Sequence, residues 1–164
     1  MNKIIFHISI FLLLNACSNS ASSIDKIEPK LGVTFFDVVE KQLIIKKTLP
    51  FHVQKQLLNW FDNKIKVDGL DGYMLFTILD YNENISNLSK GKRIDLSLKF
   101  KVLIKNNNLS QTKTINGEVT AYSTLTGDFN LNDFDNIIQN TQTDLIVRLS
   151  QDLKEKVNSS KMME

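Results

Sequence analysis

Cysteine occurs once in this chain of 164 residues, and histidine and proline occur twice each. A single Cys excludes a disulfide framework and a Cys-based zinc cluster. Two Pro and six Gly exclude collagen-like and low-complexity scaffolds. No glycine-rich phosphate loop is present. Arginine is nearly absent as well, with Arg93 and Arg148 alone beside 18 Lys. The basic residues are scattered among 18 acids, so the net charge is only +2 and there is no nucleic-acid footprint. What remains is an ordinary globular composition, 42% hydrophobic and 23% charged. It is too apolar and too weakly charged for full-length disorder. The length suits one core and leaves no room for two.

The N-terminus reads as a secretory signal. Lys3 provides a short positive region, and Ile4–Leu14 is an apolar run of eleven residues broken by His7 and Ser9. As a helix that run rises about 16 Å, far short of a bilayer core. It ends in Leu14-Asn15-Ala16-Cys17. Leu at −3, a small residue at −1 and Cys at +1 resemble the lipobox of bacterial lipoproteins. The resemblance implies acylation of the Cys17 thiol, cleavage before it and acylation of the new amino group. The palmitate-type chains would anchor the mature protein in a membrane, each buried methylene contributing about 0.8 kcal/mol. Ser18 at +2 resembles lipoproteins sent to the outer membrane, so the expected location is its periplasmic face.

Removing residues 1–16 takes away Lys3 and His7 and no acid. His52 is then the one imidazole left, and the single Cys is acylated. Residues 17–31, rich in Ser and lacking periodicity, read as a flexible lipidated tether. A single domain is expected over residues 32–157, followed by a frayed tail over 158–164.

Within the domain, Val33–Val39 is rich in β-branched and aromatic residues and predicts a strand, with Leu43-Ile44-Ile45 extending it after a kink near Glu40. Pro50 opens a helix with Thr48 or Leu49 near its cap. Val53, Leu57, Trp60, Phe61 and Ile65 fall on one face of that helix. Tyr73–Tyr81, apolar almost throughout, predicts a strand in the middle of a sheet or covered on both faces. Ile94, Leu96, Leu98, Phe100, Val102 and Ile104 alternate with mostly polar residues, the pattern of a strand with one face buried. Asn106-Asn107-Asn108 predicts a turn, and Thr112–Leu125 a returning strand. Asn130 or Asn132 is placed to cap a last helix, whose apolar face runs from Phe134 to Val157. The expected fold is α+β, in the order β-α-β-β-β-α. A right-handed crossover makes the first two strands parallel, and two helices cover one face of a four-stranded mixed sheet.

Two stretches carry a further resemblance. Gly117-Glu118-Val119-Thr120-Ala121-Tyr122 precedes a Gly-Asp turn and a long amphipathic helix, and Lys90-Gly91-Lys92-Arg93 enters a long alternating strand. Together with the lipid anchor and the element order, they resemble the lipopolysaccharide-assembly lipoproteins and other small envelope lipoproteins. That family supports an outer-membrane β-barrel, which implies an envelope protein as partner here. The glycine-rich aromatic segment common after the lipidated Cys in that family is absent; Ser18–Ser23 stands in its place.

Catalytic chemistry finds few candidates. His52 sits at a helix start with no flanking acid, and one His cannot build a zinc site. Asp68 and Asp71 lie in a turn. Asp128, Asp133 and Asp135 surround a helix N-terminus, where acids offset the helix dipole. Lys90, Lys92 and Arg93 form the one basic cluster, with the chemistry to meet the phosphates of an anionic headgroup. The expectation is therefore a non-catalytic, cofactor-free envelope protein that docks on another envelope component. The alternative is a module that holds a lipid or small apolar ligand between helices and sheet.

Overall fold

A computed structural model of the chain describes residues 32–106 and 111–161. The Cys17 lipobox, the signal and the tether therefore lie outside the described residues, as do Asn107 and Asn108 of the expected turn. The elements are β1 (Thr34–Phe36), β2 (Glu40–Ile45), α1 (Phe51–Lys64), β3 (Ile65–Val67), β4 (Tyr73–Leu88), β5 (Gly91–Asn106), β6 (Gln111–Thr126) and α2 (Leu131–Lys161).

The main sheet has four strands in the order β2-β4-β5-β6. β2 is parallel to β4, with α1 in the crossover, while β4, β5 and β6 form an antiparallel meander. This is the expected α+β arrangement, and both helices lie on one face. The alternation in β5 decides which face that is. Ile94, Leu96, Leu98, Phe100 and Val102 are buried under the helices, and the intervening side chains face outward.

The first expected strand is corrected. Val33–Val39 does not run as one strand: it yields β1 and then bends through Asp37–Val39. β1 pairs in parallel with β3, a strand that the residue pattern does not predict, in a separate two-stranded sheet. The bend is held by the β3–β4 connection, through Gly69 N–H to Val38 O (3.1 Å) and Val39 N–H to Gly72 O (3.3 Å). Ile65, expected on the α1 face, is instead the C-cap of α1 and starts β3, although it stays fully buried.

Other boundaries shift for local reasons. Pro50, with φ −54° and ψ 144°, is the N-cap of α1 rather than its first residue. Of the two asparagines placed to cap α2, Asn130 serves. Its Oδ1 accepts from Asp133 N–H at 3.0 Å, and Asp133 Oδ2 accepts from Asn130 N–H at 3.1 Å. This reciprocal pair is a capping box with Asp in the third position. α2 also runs to Lys161, four residues past the expected end at Val157.

The core is one continuous cluster. Trp60 and Phe61 of α1 meet Phe76 of β4 edge-on, at 5.5 and 6.1 Å between ring centroids. Phe76 in turn stacks on Phe100 of β5 at 5.5 Å. α2 lies along β6, where Gly117, Ala121 and Ser123 face it, and small residues let a helix approach a strand closely. β2 pairs with β4 only as far as Ile78, so the hairpins extend well beyond it and β4 is an edge from Leu79 to Leu88. That stretch carries a bulge between Ile78 and Asp80 and an inward-facing Glu83. Both are devices that keep an open edge from pairing indiscriminately.

Candidate functional site

The basic cluster falls at the tight connection between β4 and β5, where strand parity separates its members. Gly91, at φ +148°, opens β5 with its α-carbon against the Leu125 carbonyl, where a Cβ would lie 1.9 Å from the oxygen. Only glycine fits there. Lys92 then turns to the helical side, and its Nζ lies 4.7 Å from the Phe134 ring centroid of α2. Arg93 turns to the open side. Its Nε and one terminal nitrogen reach Asp95 at 2.8 Å, and its guanidinium lies 4.8 Å from the centroid of Tyr122. Lys90 is exposed in the turn itself. Lys92 and Arg93 thus do not converge on one phosphate-sized point.

The open face around Arg93 is concave. A depression of about 390 Å³ is lined there by side chains of β4, β5 and β6, among them Asn82, Asn84, Asp95, Thr120 and Tyr122. The hydrogen bond from Arg93 holds the Asp95 carboxyl below its usual range, and the same bond raises the Arg93 guanidinium further. Both groups therefore stay charged across the ordinary pH range. A smaller depression of about 240 Å³ lies between β6 and α2, beside Arg148, Asp152 and Glu155.

Two of the remaining candidates, His52 and Asp133, have structural partners. Gln56 bridges the two helices, donating to His52 Nε2 and to Thr143 Oγ1, each at 2.7 Å. Asp133 is occupied as the α2 cap. Among the described residues, no group of three His, Cys, Asp or Glu is arranged to hold a metal ion. Trp60 is buried in the core, and its indole N–H has no hydrogen-bond partner among the described residues.

Two polar arrangements had no signal in the sequence. Lys41 of β2 reaches under the end of α1 and donates to the carbonyls of Phe61 (2.9 Å), Asp62 (3.2 Å) and Ile65 (2.7 Å). Burial pushes its ammonium below the usual lysine range, partly offset by Asp62. Beneath α2, the Tyr81 hydroxyl donates to Glu83 Oε2 at 2.6 Å, and Gln142 Nε2 approaches the same oxygen at 3.3 Å. Burial first, and then the bond to Glu83, push the Tyr81 hydroxyl well above the usual tyrosine range. Both arrangements join residues far apart in the chain, so only folding brings them together.

No protein-family model and no curated protein matches the chain. Among solved structures it is similar to a minor lipoprotein from Acinetobacter baumannii, at 16% identity, covering 76% of this chain and 95% of that one, with a TM-score of 0.49. It is also similar to uncharacterized lipoprotein B from Nitrosomonas europaea, at 10% identity, over 77% of this chain and 89% of that one, with a TM-score of 0.49. A protein from Xanthomonas campestris matches at 6% identity, over 82% and 92%, with a TM-score of 0.45.

Among the described residues, no helix is long and apolar enough to cross a membrane.

Proposed function

We propose that this chain is a lipid-anchored envelope protein without a catalytic role, acting by docking on another envelope component. The observation that carries the reading is Cys17, placed directly behind an eleven-residue apolar run in the setting Leu14-Asn15-Ala16-Cys17. Acyl chains on Cys17 hold the domain at the outer membrane, on its periplasmic face, as Ser18 implies. Assembly of the outer membrane is the process implied by the resemblance to the lipopolysaccharide-assembly lipoproteins, and a barrel of that membrane is the partner. Packing supports docking over an apolar ligand held between the layers. Leu57, Phe76, Phe100, Leu98, Leu145 and Leu149 fill the space between helices and sheet and are almost wholly inaccessible.

Metabolic labelling with palmitate tests the anchor. The natural chain is expected to incorporate label and be cut before Cys17. Cys17→Ser is expected to stay uncut and unlabelled. Equal labelling of the two would overturn the reading. Cross-linking of the natural chain in intact envelopes tests the docking role, which predicts a discrete product containing an outer-membrane protein.

A further inference from the structure

The distal part of the open sheet face differs in kind from the rest of that face. Nearer the β5–β6 end, its outward positions carry Lys99, Lys101 and Lys105, with Glu118 beside Lys99 at 3.8 Å. Tyr73, Leu75 and Leu103 lie among them, so this half mixes cations with apolar side chains. Toward the β4–β5 connection the register sets two rows across three strands, Asn84–Asp95–Tyr122 and Asn82–Ser97–Thr120. These rows contain no Lys and no Glu. Strands about 4.8 Å apart and rows about 7 Å apart make a patch about 10 Å wide. It lines the depression of about 390 Å³.

The chemistry of the patch selects among ligand classes. Its one cation, Arg93, is held by Asp95 through two nitrogens, so the patch carries no net charge and offers no free charge to a phosphate. Its lining mixes polar and apolar atoms, a poorer match for an acyl chain than the wholly apolar walls such a chain favours. What it offers is a flat aromatic ring and several directional donors and acceptors. The Tyr122 ring is 62% exposed and is steadied by Arg93. Among the described residues, no hydrogen bond occupies the side-chain amides of Asn82 and Asn84. Each amide presents both donors and an acceptor. Asp95 keeps lone pairs beyond those that Arg93 uses.

We propose that this patch binds an uncharged glycan, with a sugar ring stacked by its C–H face on Tyr122 and its hydroxyls bonded to Asn82, Asn84 and Asp95. An uncharged sugar pairs an apolar ring face with a rim of hydroxyls, and the patch presents the complement of both. The site lies on the face opposite the helices and does not depend on the lipid anchor. Its failure is therefore separate from any failure of palmitate labelling.

The test is a titration of the purified full-length chain, in detergent, with an N-acetylglucosamine trimer and separately with maltotriose. Side-chain amide resonances of Asn82 and Asn84 are followed by NMR. A saturable shift with at least one of the sugars is expected at millimolar concentration, as suits a shallow site. Tyr122→Ala is expected to weaken binding about tenfold, the loss of one aromatic contact. Thr114→Ala, elsewhere on β6, is expected to leave it unchanged. Three results would each overturn the proposal: no saturable shift with either sugar, undiminished binding by Tyr122→Ala, or the same shifts produced by inorganic phosphate.

Discussion

Gly117→Ala is the sharpest probe of the packing. Gly117 lies on the helix-facing side of β6, paired with Phe100 across the strands. A Cβ built there would stand 2.3 and 2.4 Å from two ring carbons of Phe100 and 2.8 Å from Asp152 Oδ2. Ordinary carbon contacts are near 3.5–4.0 Å, so about 1 Å of movement is needed. The ring cannot simply withdraw. Its far side is stacked on Phe76, which is itself wedged against Trp60 and Phe61. Overpacking of this kind costs about 1–3 kcal/mol. Against it stands the lower chain entropy of unfolded Ala, which favours the substitution by about 0.4–1 kcal/mol. Mid-range values of the two leave a net loss of about 1–1.5 kcal/mol. With a urea m-value of about 2 kcal/mol/M, the midpoint falls by about 0.5–0.75 M. The double variant Gly117→Ala/Phe100→Leu gives the sign that overpacking alone would produce. Leu vacates the space that the new methyl enters, so the double loss is expected to be about 1 kcal/mol smaller than the sum of the singles. A neutral or stabilised Gly117→Ala, or strictly additive losses, would refute this account of why glycine stands there.

Three further outcomes are expected. Lys41→Met removes the cation beneath the carbonyls of Phe61, Asp62 and Ile65 at the end of α1 and should cost about 1–2 kcal/mol in urea unfolding. Asn130→Ala opens the capping box of α2 and should cost about 1 kcal/mol, with a matching loss of helical circular dichroism before the main transition. Tyr81 bears on alkaline stability. Its hydroxyl has a folded pKa raised above 10.0, so the folded state keeps the proton after the unfolded chain has lost it. The resulting stability is complete below pH 10 and is lost as pH rises from there toward the folded value. The stability difference between the natural chain and Tyr81→Phe should therefore narrow above pH 10, and a constant difference would count against the buried hydroxyl. Lys41, whose folded pKa is lowered, acts in the opposite sense near pH 10.5 and is common to both chains.

Elements with a long, regular hydrophobic period are legible in the chain of residues alone. β5 repeats its apolar positions from Ile94 to Val102, and α1 repeats Val53, Leu57, Trp60 and Phe61. The period reports directly which face each element buries. β1 and β3 have three residues each, too few to show a period, and they exist because each supplies the other's hydrogen bonds. The basic cluster shows the converse error. Lys92 and Arg93 are adjacent in the chain, but a strand sends adjacent side chains to opposite faces, so one meets Phe134 and the other Asp95. Given β5 as a strand, parity alone is enough to foresee that separation.

Local spacing along the chain settles the order of the main-sheet elements, the buried side of β5 and the candidate anchor at Cys17. Everything that joins distant segments waited for the closed fold. Folding placed Lys41 beneath the end of α1, set Phe100 against Gly117, and brought Asn82, Asp95 and Tyr122 from three strands to one surface. Hydrophobic period is a property of a single segment, whereas a hydrogen bond, a close contact or a lined depression depends on the register between segments. Register is set only when the strands pair and the core closes.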